Sequence, residues 1–143
     1  MLTEWAGFRS GVIAGINFVA SDAKTRSCVN GTVANMSLGG SFSSSINSAA
    51  KALVDSGVFL VAAAGNDNRN AQNYSPASEA SACTVGSTTN TDAKSSFSNF
   101  GAAVDIFAPG TSIKSTWIGS TSATVGLSFP LPSLFSEPFH FLA

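Results

Sequence analysis

The stretch Ser43–Asn66, SSSINSAAKALVDSGVFLVAAAGN, decides the fold. Its first half carries Ile46, Ala49, Ala50, Leu53 and Val54 at i, i+3, i+4, i+7 and i+8, the spacing of a helix with one core-facing stripe. Ser43 to Ser45 offer N-caps, because a side-chain oxygen there accepts from backbone N–H groups that the first turn leaves unpaired. Gly57 stands where such a helix needs a left-handed residue to stop. The second half, Val58–Ala64, is an apolar run without alternation, which predicts a strand buried on both faces.

Working outward, Gly31–Leu38 reads as a strand ended by Gly39-Gly40. Strand, helix and buried strand in that order make a βαβ unit with parallel pairing. Val12, Ile16, Val19 and Ala20 predict an earlier helix over about Ser10–Ser21. Further strands are expected at Cys83–Thr88, Val104–Phe107 and Ser112–Ile118. The pattern as a whole is that of an α/β protein, an open parallel sheet with helices on both faces. The stretch Gly126–Ala143 has another texture, with Pro130, Pro132 and Pro138 among Phe129, Phe135, Phe139 and Phe141. Prolines forbid a long helix and a central strand alike. Residues 1–125 are therefore expected to form one domain, which the resemblance below makes a partial one, and 126–143 an unrelated, non-native or disordered tail.

The 143 residues are 44% hydrophobic and 10% charged, enough apolar material for a core. A formal net charge of -1 argues against the basic stripe that nucleic acid requires and gives no sign of a polybasic membrane anchor. No apolar run approaches the length of a membrane span, and Met1–Trp5 does not read as a signal peptide. Cys28 and Cys83 could pair with each other, pair elsewhere or stay free. Sequons occur at Asn30, Asn35 and Asn73; the one at Asn35 falls in a predicted buried strand and reads as accidental.

Two loops leave the C-terminal ends of predicted parallel strands, Ser37-Leu38-Gly39-Gly40 and Ala63-Ala64-Gly65-Asn66, the edge where open α/β sheets bind ligands. Neither phosphate-binding glycine motif is present, which weighs against an unrelated nucleotide-binding protein. On physics alone these glycines are accounted for by tight turns. The Asn66 amide is suited to donate to a developing oxyanion, though Asn-Asp after Gly is also ordinary turn chemistry. Asp105, in an apolar stretch, either sits at an edge in water or needs a partner such as a hard cation. The single histidine, His140, lies in the tail and is expected to be solvated and inert.

Taken in order, Val19-Ala20-Ser21-Asp22, Ser37-Leu38-Gly39-Gly40, Ala63-Ala64-Gly65-Asn66, Asn73-Tyr74-Ser75-Pro76-Ala77-Ser78, Cys83-Thr84-Val85-Gly86, Ser95–Gly101, Asp105-Ile106-Phe107 and Pro109–Ile113 resemble the subtilase family, in particular its proteinase K-like branch. The resemblance runs from about Ile13 to Trp117. It implies a subtilisin-like parallel sheet flanked by helices, here incomplete, and proteolysis of an extended peptide or protein substrate by an extracellular, monomeric serine endopeptidase. It gives Asn66 the oxyanion role, Ser37, Leu38 and Gly39 the strand that pairs with substrate, and Ala63, Ala64 and Gly65 a wall of the specificity pocket with room for a bulky apolar group. It makes Asp105, with the carbonyls of Ala80 and Ala82, a structural calcium site. It also implies that Cys28 and Cys83 each bridge to a cysteine outside this chain.

The family's catalytic Asp and His motifs belong upstream of the first matching helix, and its nucleophile sits in a G-T-S-M-A-T-P motif beyond Trp117. Thr121-Ser122-Ala123 mimics part of that motif but has no preceding Gly and no Met-Ala-Thr-Pro continuation. The expectation is a chain that keeps the oxyanion donor and substrate strand, lacks the triad and is inactive alone. The alternative is a non-catalytic module that binds extended peptides.

Overall fold

The computed structural model describes residues 9–117 and 120–125. In chain order the elements are α1 (Arg9–Ala23), β1 (Thr32–Met36), β2 (Gly40–Ser41), α2 (Ser44–Asp55), β3 (Val58–Ala63), a short 3-10 helix (Ala71–Asn73), β4 (Tyr74–Ser75), β5 (Cys83–Thr88), β6 (Ile106–Pro109), β7 (Ile113–Trp117) and β8 (Ser120–Val125).

The helix read from the 3.6-residue spacing is α2. Ser43 caps it in an extended conformation, its side chain accepting the Ile46 N–H. At the other end Gly57 takes φ +92° and its N–H reaches Val54 O at 2.9 Å. That is the left-handed stop a residue with a Cβ adopts only under strain. Ile46, Ala49, Ala50 and Leu53 are buried, the stripe the spacing predicts.

The main sheet has the order β1-β3-β5-β6, all parallel. Thr32 pairs with Val58 and Met36 with Ala62, so alternate residues of β1 and β3 share a face. Met36, Val58, Leu60 and Ala62 form one core with Ile16 of α1 and with Ala49, Ala50 and Leu53 of α2. Both helices thus lie on the same side, packed on each other as well as on the sheet.

Three expectations change accordingly. The parallel sheet flanked by helices is present, but both described α-helices cover one face, not one each. β3 is not buried on both sides: Leu60 is 1% exposed and Phe59 is 50% exposed. Asn35, in register with Val61 on the open side, is exposed rather than buried. The common cause is the α1–α2 contact, which holds both helices on the face of Leu60. The strand expected over 104–107 begins later, at Ile106, leaving Asp105 just before it.

β7 and β8 form a separate antiparallel pair. Thr121-Ser122-Ala123 falls inside β8, so this Ser-containing string is strand, not the start of a helix. The Met1–Trp5 segment, the tail 126–143 and His140 lie outside the described residues.

The one-sided packing predicts opposite outcomes for neighbouring apolar positions. Leu53→Ala should cost about 2–5 kcal/mol of unfolding free energy, as buried leucine truncations do. Phe59→Ser should cost less than about 1 kcal/mol and raise solubility. Urea denaturation of the two variants checks this; equal losses would contradict it.

Candidate functional site

The C-terminal ends of β1 and β3 open into a cleft of about 240 Å³ lined by Ser37–Gly40, Ala63–Asp67, Tyr74 and Ser75. One wall is Ser37-Leu38-Gly39, outside the sheet ladder that ends at Met36. Leu38 and Gly39 are exposed there. The opposing wall is the buried end of β3, where Ala63 is 9% and Ala64 0% exposed.

The floor is fixed by a short chain of contacts. β2 pairs antiparallel with β4, Gly40 against Ser75 and Ser41 against Tyr74. Phe42 N–H adds a bond to Asn73 O at 2.9 Å. The Ser75 hydroxyl, 1% exposed, accepts from Ser43 N at 2.9 Å and donates to Ser43 O at 3.3 Å. Ser43 therefore both caps α2 and pins the cleft floor to it. A Cβ on Gly39 would stand 3.3 Å from Ser75 O, which favours glycine at this approach.

The loop carrying Asn66 is built around one side chain, that of Asn99. Asn99 is 0% exposed. Its Nδ2 donates to Ala64 O at 2.8 Å, and its Oδ1 accepts from Asp67 N at 3.1 Å and Arg69 N at 2.9 Å. Its backbone N–H donates to Gly65 O at 3.0 Å. Gly65 has φ +103°, and a Cβ there would lie 2.4 Å from Asn99 Nδ2. Glycine at 65 and the buried amide at 99 are thus two halves of one arrangement, which leaves Asn66 exposed at the cleft.

A second layer supports Asn99. Asn68 N donates to Phe97 O at 2.8 Å, and Phe100 N to Arg69 O at 3.0 Å. Lys94 Nζ donates to Asn68 Oδ1, Ser95 O and Ser98 O, each at 3.1 Å. Buried Ser87, Ser95 and Ser98 tie this loop to β5, with Ser87 Oγ and Ser95 Oγ at 2.7 Å and Ser87 N donating to Ser98 Oγ at 2.9 Å.

Partial desolvation, and then the hydrogen bond to Asp67 and its charge, raise the Tyr74 phenol above its ordinary value. Tyr74 is therefore a neutral O–H wall at physiological pH, not a base.

All seven cleft residues expected from sequence meet here: Ser37, Leu38, Gly39, Ala63, Ala64, Gly65 and Asn66. Sequence reasoning missed Tyr74, Ser75 and Asn99 as parts of it, although each stood in a quoted string. A buried amide has no sequence period, and its role shows only when two distant loops meet.

Asp105, Ala80 and Ala82 line a separate cavity of about 180 Å³ with Gln72, Ala77, Ser78, Glu79, Ala102 and Ala103. Asp105 Oδ2 accepts from Thr84 N at 2.7 Å. Glu79 Oε1 accepts from the Ser81 amide and hydroxyl. No group of three or more His, Cys, Asp or Glu able to hold a metal occurs among the described residues. A cation there would draw on at most the two carboxylates of Asp105 and Glu79, with carbonyl and water oxygens, a donor set that suits a hard ion. Cys83 lies nearby; burial first, then the Asp105 charge, push its thiol above the usual range. Cys28 and Cys83 are both free.

A profile of the Subtilase family matches residues 17–134. The chain is 62% identical over 130 residues to the subtilisin-like serine protease AsES of Sarocladium strictum, covering 90% of this chain and 34% of that protein. It is 58% identical to a cuticle-degrading protease of Metarhizium anisopliae, covering 92% and 34%. It is 57% identical to Proteinase R of Parengyodontium album, covering 90% and 34%. A solved cold adapted subtilisin-like serine proteinase superposes with a TM-score of 0.75 at 49% identity, covering 82% of this chain and 41% of that one. The chain spans about a third of the length of these curated relatives.

Asn99→Asp tests the buried amide. At neutral pH it sets a carboxylate oxygen against Ala64 O and should cost about 2–4 kcal/mol, one lost bond plus an unsatisfied carbonyl. Repulsion and burial raise the introduced carboxyl's folded-state pKa above its unfolded value, so the native state binds the proton more tightly. The deficit should therefore shrink as pH falls through the carboxylate range. Denaturation at pH 7 and pH 4.5 reads the difference; an unchanged deficit would refute the donor role of Nδ2.

Proposed function

This chain belongs to the subtilase family, on its proteinase K-like branch, and from that premise we propose that it forms the substrate-binding part of a subtilisin-like serine endopeptidase. The observation that carries the reading is the single cleft holding Ser37–Gly39, Ala63–Gly65 and Asn66 together.

An extended peptide lies along Ser37-Leu38-Gly39 as an added strand, its main chain bonding to theirs. The side chain before the scissile bond enters between that segment and Ala63-Ala64-Gly65, whose small size admits a bulky apolar group. The Asn66 amide donates to the carbonyl oxygen as it becomes an oxyanion, stabilising the transition state more than the ground state. The reaction of this class runs through an acyl-enzyme and needs a serine nucleophile and a histidine base. The sequence holds one histidine, His140, so the chain by itself is assigned no turnover. The alternative reading is a non-catalytic module that binds extended peptides in the same cleft.

The cavity at Asp105 is assigned to a structural calcium ion. The Asp105 carboxylate and the carbonyls of Ala80 and Ala82 would hold it, and it would brace the segment between the floor of the cleft and β5. The proposed location is extracellular, in keeping with the similarity to a cuticle-degrading protease. No helix among the described residues is long and apolar enough to cross a membrane.

The chain alone should release no product from a peptide ester above a buffer blank; a burst of product with labelling by a serine-directed phosphonate would overturn this. In a complete protease carrying this segment, Asn66→Ala should lower kcat by about 10²–10³ with KM little changed, the size of effect seen for the equivalent donor of subtilisin. An unchanged kcat would remove Asn66 from the mechanism. A peptide that binds the chain, with no complete protease to be found, would establish the second reading.

For calcium, added ion should raise the melting temperature, corresponding to about 2.7 kcal/mol of added unfolding free energy at a hundredfold excess over Kd. Asp105→Ala should abolish that shift; an equal shift in the variant would contradict the site.

A further inference from the structure

None of the three sequon asparagines, Asn30, Asn35 and Asn73, lines the cleft, and the structure separates them. Asn35 is exposed, but its Nδ2, the atom a glycan would occupy, donates to Ser37 Oγ at 2.9 Å. That hydroxyl belongs to its own sequon and to a residue of the cleft wall. Asn73 ends the 3-10 helix, and its carbonyl receives the Phe42 N–H. Its sequon hydroxyl, Ser75 Oγ, is buried against Ser43, and the residue between them, Tyr74, lines the cleft. A sugar at either position would crowd the substrate path.

Asn30 differs in its contacts and in its distance from the cleft. It sits at the apex of the turn Cys28–Gly31, closed by Gly31 N–H to Cys28 O at 3.1 Å, with Gly31 at φ +87°. Open space surrounds Gly31, with nothing within 4 Å of the Cβ position. Asn30 is exposed, its side chain makes no hydrogen bond to another described residue, and the neighbouring Val29 is 100% exposed. The turn precedes β1, whereas the cleft follows it, so the five residues of the strand hold the two apart by about 16 Å at 3.3 Å per residue.

We propose that Asn30, within Asn30-Gly31-Thr32, is the N-glycosylation site of this chain in a secretory compartment. The bond formed joins Asn30 Nδ2 to the anomeric carbon of a lipid-pyrophosphate-linked oligosaccharide. The anomeric C–O bond to phosphate breaks, the lipid pyrophosphate leaves, and the amide gives up one proton to it. Transfer acts on the nascent chain, so the fold enters through what it can carry afterwards. At Asn30 the sugar covers exposed Val29 and stands clear of the cleft. The inference is independent of the peptidase reading and needs only passage through that compartment.

The test expresses the full chain behind a heterologous secretion leader in yeast. Secreted and retained fractions are both treated with peptide:N-glycosidase in ¹⁸O-water and read by peptide mass spectrometry. The expected result is ¹⁸O-labelled conversion at Asn30 in the bulk of the chain. Asn30→Gln and Thr32→Ala should each abolish the glycosidase-sensitive mobility shift, and Asn35→Gln and Asn73→Gln should keep it. A shift that survives Asn30→Gln, or an unlabelled Asn30 in both fractions, would overturn the proposal. Because the retained fraction is read too, a chain that fails to fold or leave the cell still gives an answer.

Discussion

The amide of Asn99 is buried among backbone groups that have no other common partner. It spends one donor and its acceptor oxygen on Ala64, Asp67 and Arg69, while its own N–H takes Gly65 O. A buried polar group left unpaired costs about 1–3 kcal/mol, so the loop and the amide constrain each other strongly. No apolar side chain of similar size could replace it, because several backbone groups would lose partners together. Gly65 is the complement: its positive φ turns the chain out of β3, and its missing Cβ lets Asn99 approach. The exposed position of Asn66 at the cleft follows from that pair.

The sheet beneath supplies the rigid platform. Leu53, Leu60 and Val58 are among its best-buried side chains and join both helices to one face. Ser43 links this core to the cleft, since one residue caps α2 and anchors Ser75. The opposite face carries exposed Phe59 and Ile106. Both walls and the floor of the cleft are thus referred back to the same core, although each comes from a different segment.

Much of this was legible in sequence, for identifiable reasons. α2 has a strong 3.6-residue stripe and explicit caps, and β5 was read with its observed bounds, Cys83–Thr88. That Ser37–Gly40 and Ala63–Asn66 would lie together was legible because the two loops leave adjacent parallel strands at the same edge of the sheet. The side of the sheet on which each helix lies was not legible. An unbroken apolar run such as Val58–Ala64 looks the same whether one face or both are covered. Asn99 was invisible for another reason: a polar residue in a Ser-rich loop reads as solvated until the fold buries it. The neighbours of Asp105 in sequence fit an edge or a metal site equally, and only the resemblance makes it a ligand; the structure places it exposed, with one oxygen on the Thr84 amide.

Amide hydrogen exchange of the folded chain, resolved residue by residue, tests the central claim most directly. If the buried Asn99 amide organises the loop, Asp67 and Arg69 N–H, although they lie in a loop, should exchange far more slowly than unstructured amides. Their protection should approach that of β3. Rapid exchange at those two positions, with β3 still protected, would show that Asn99 does not hold the loop and that the placement of Asn66 has another cause.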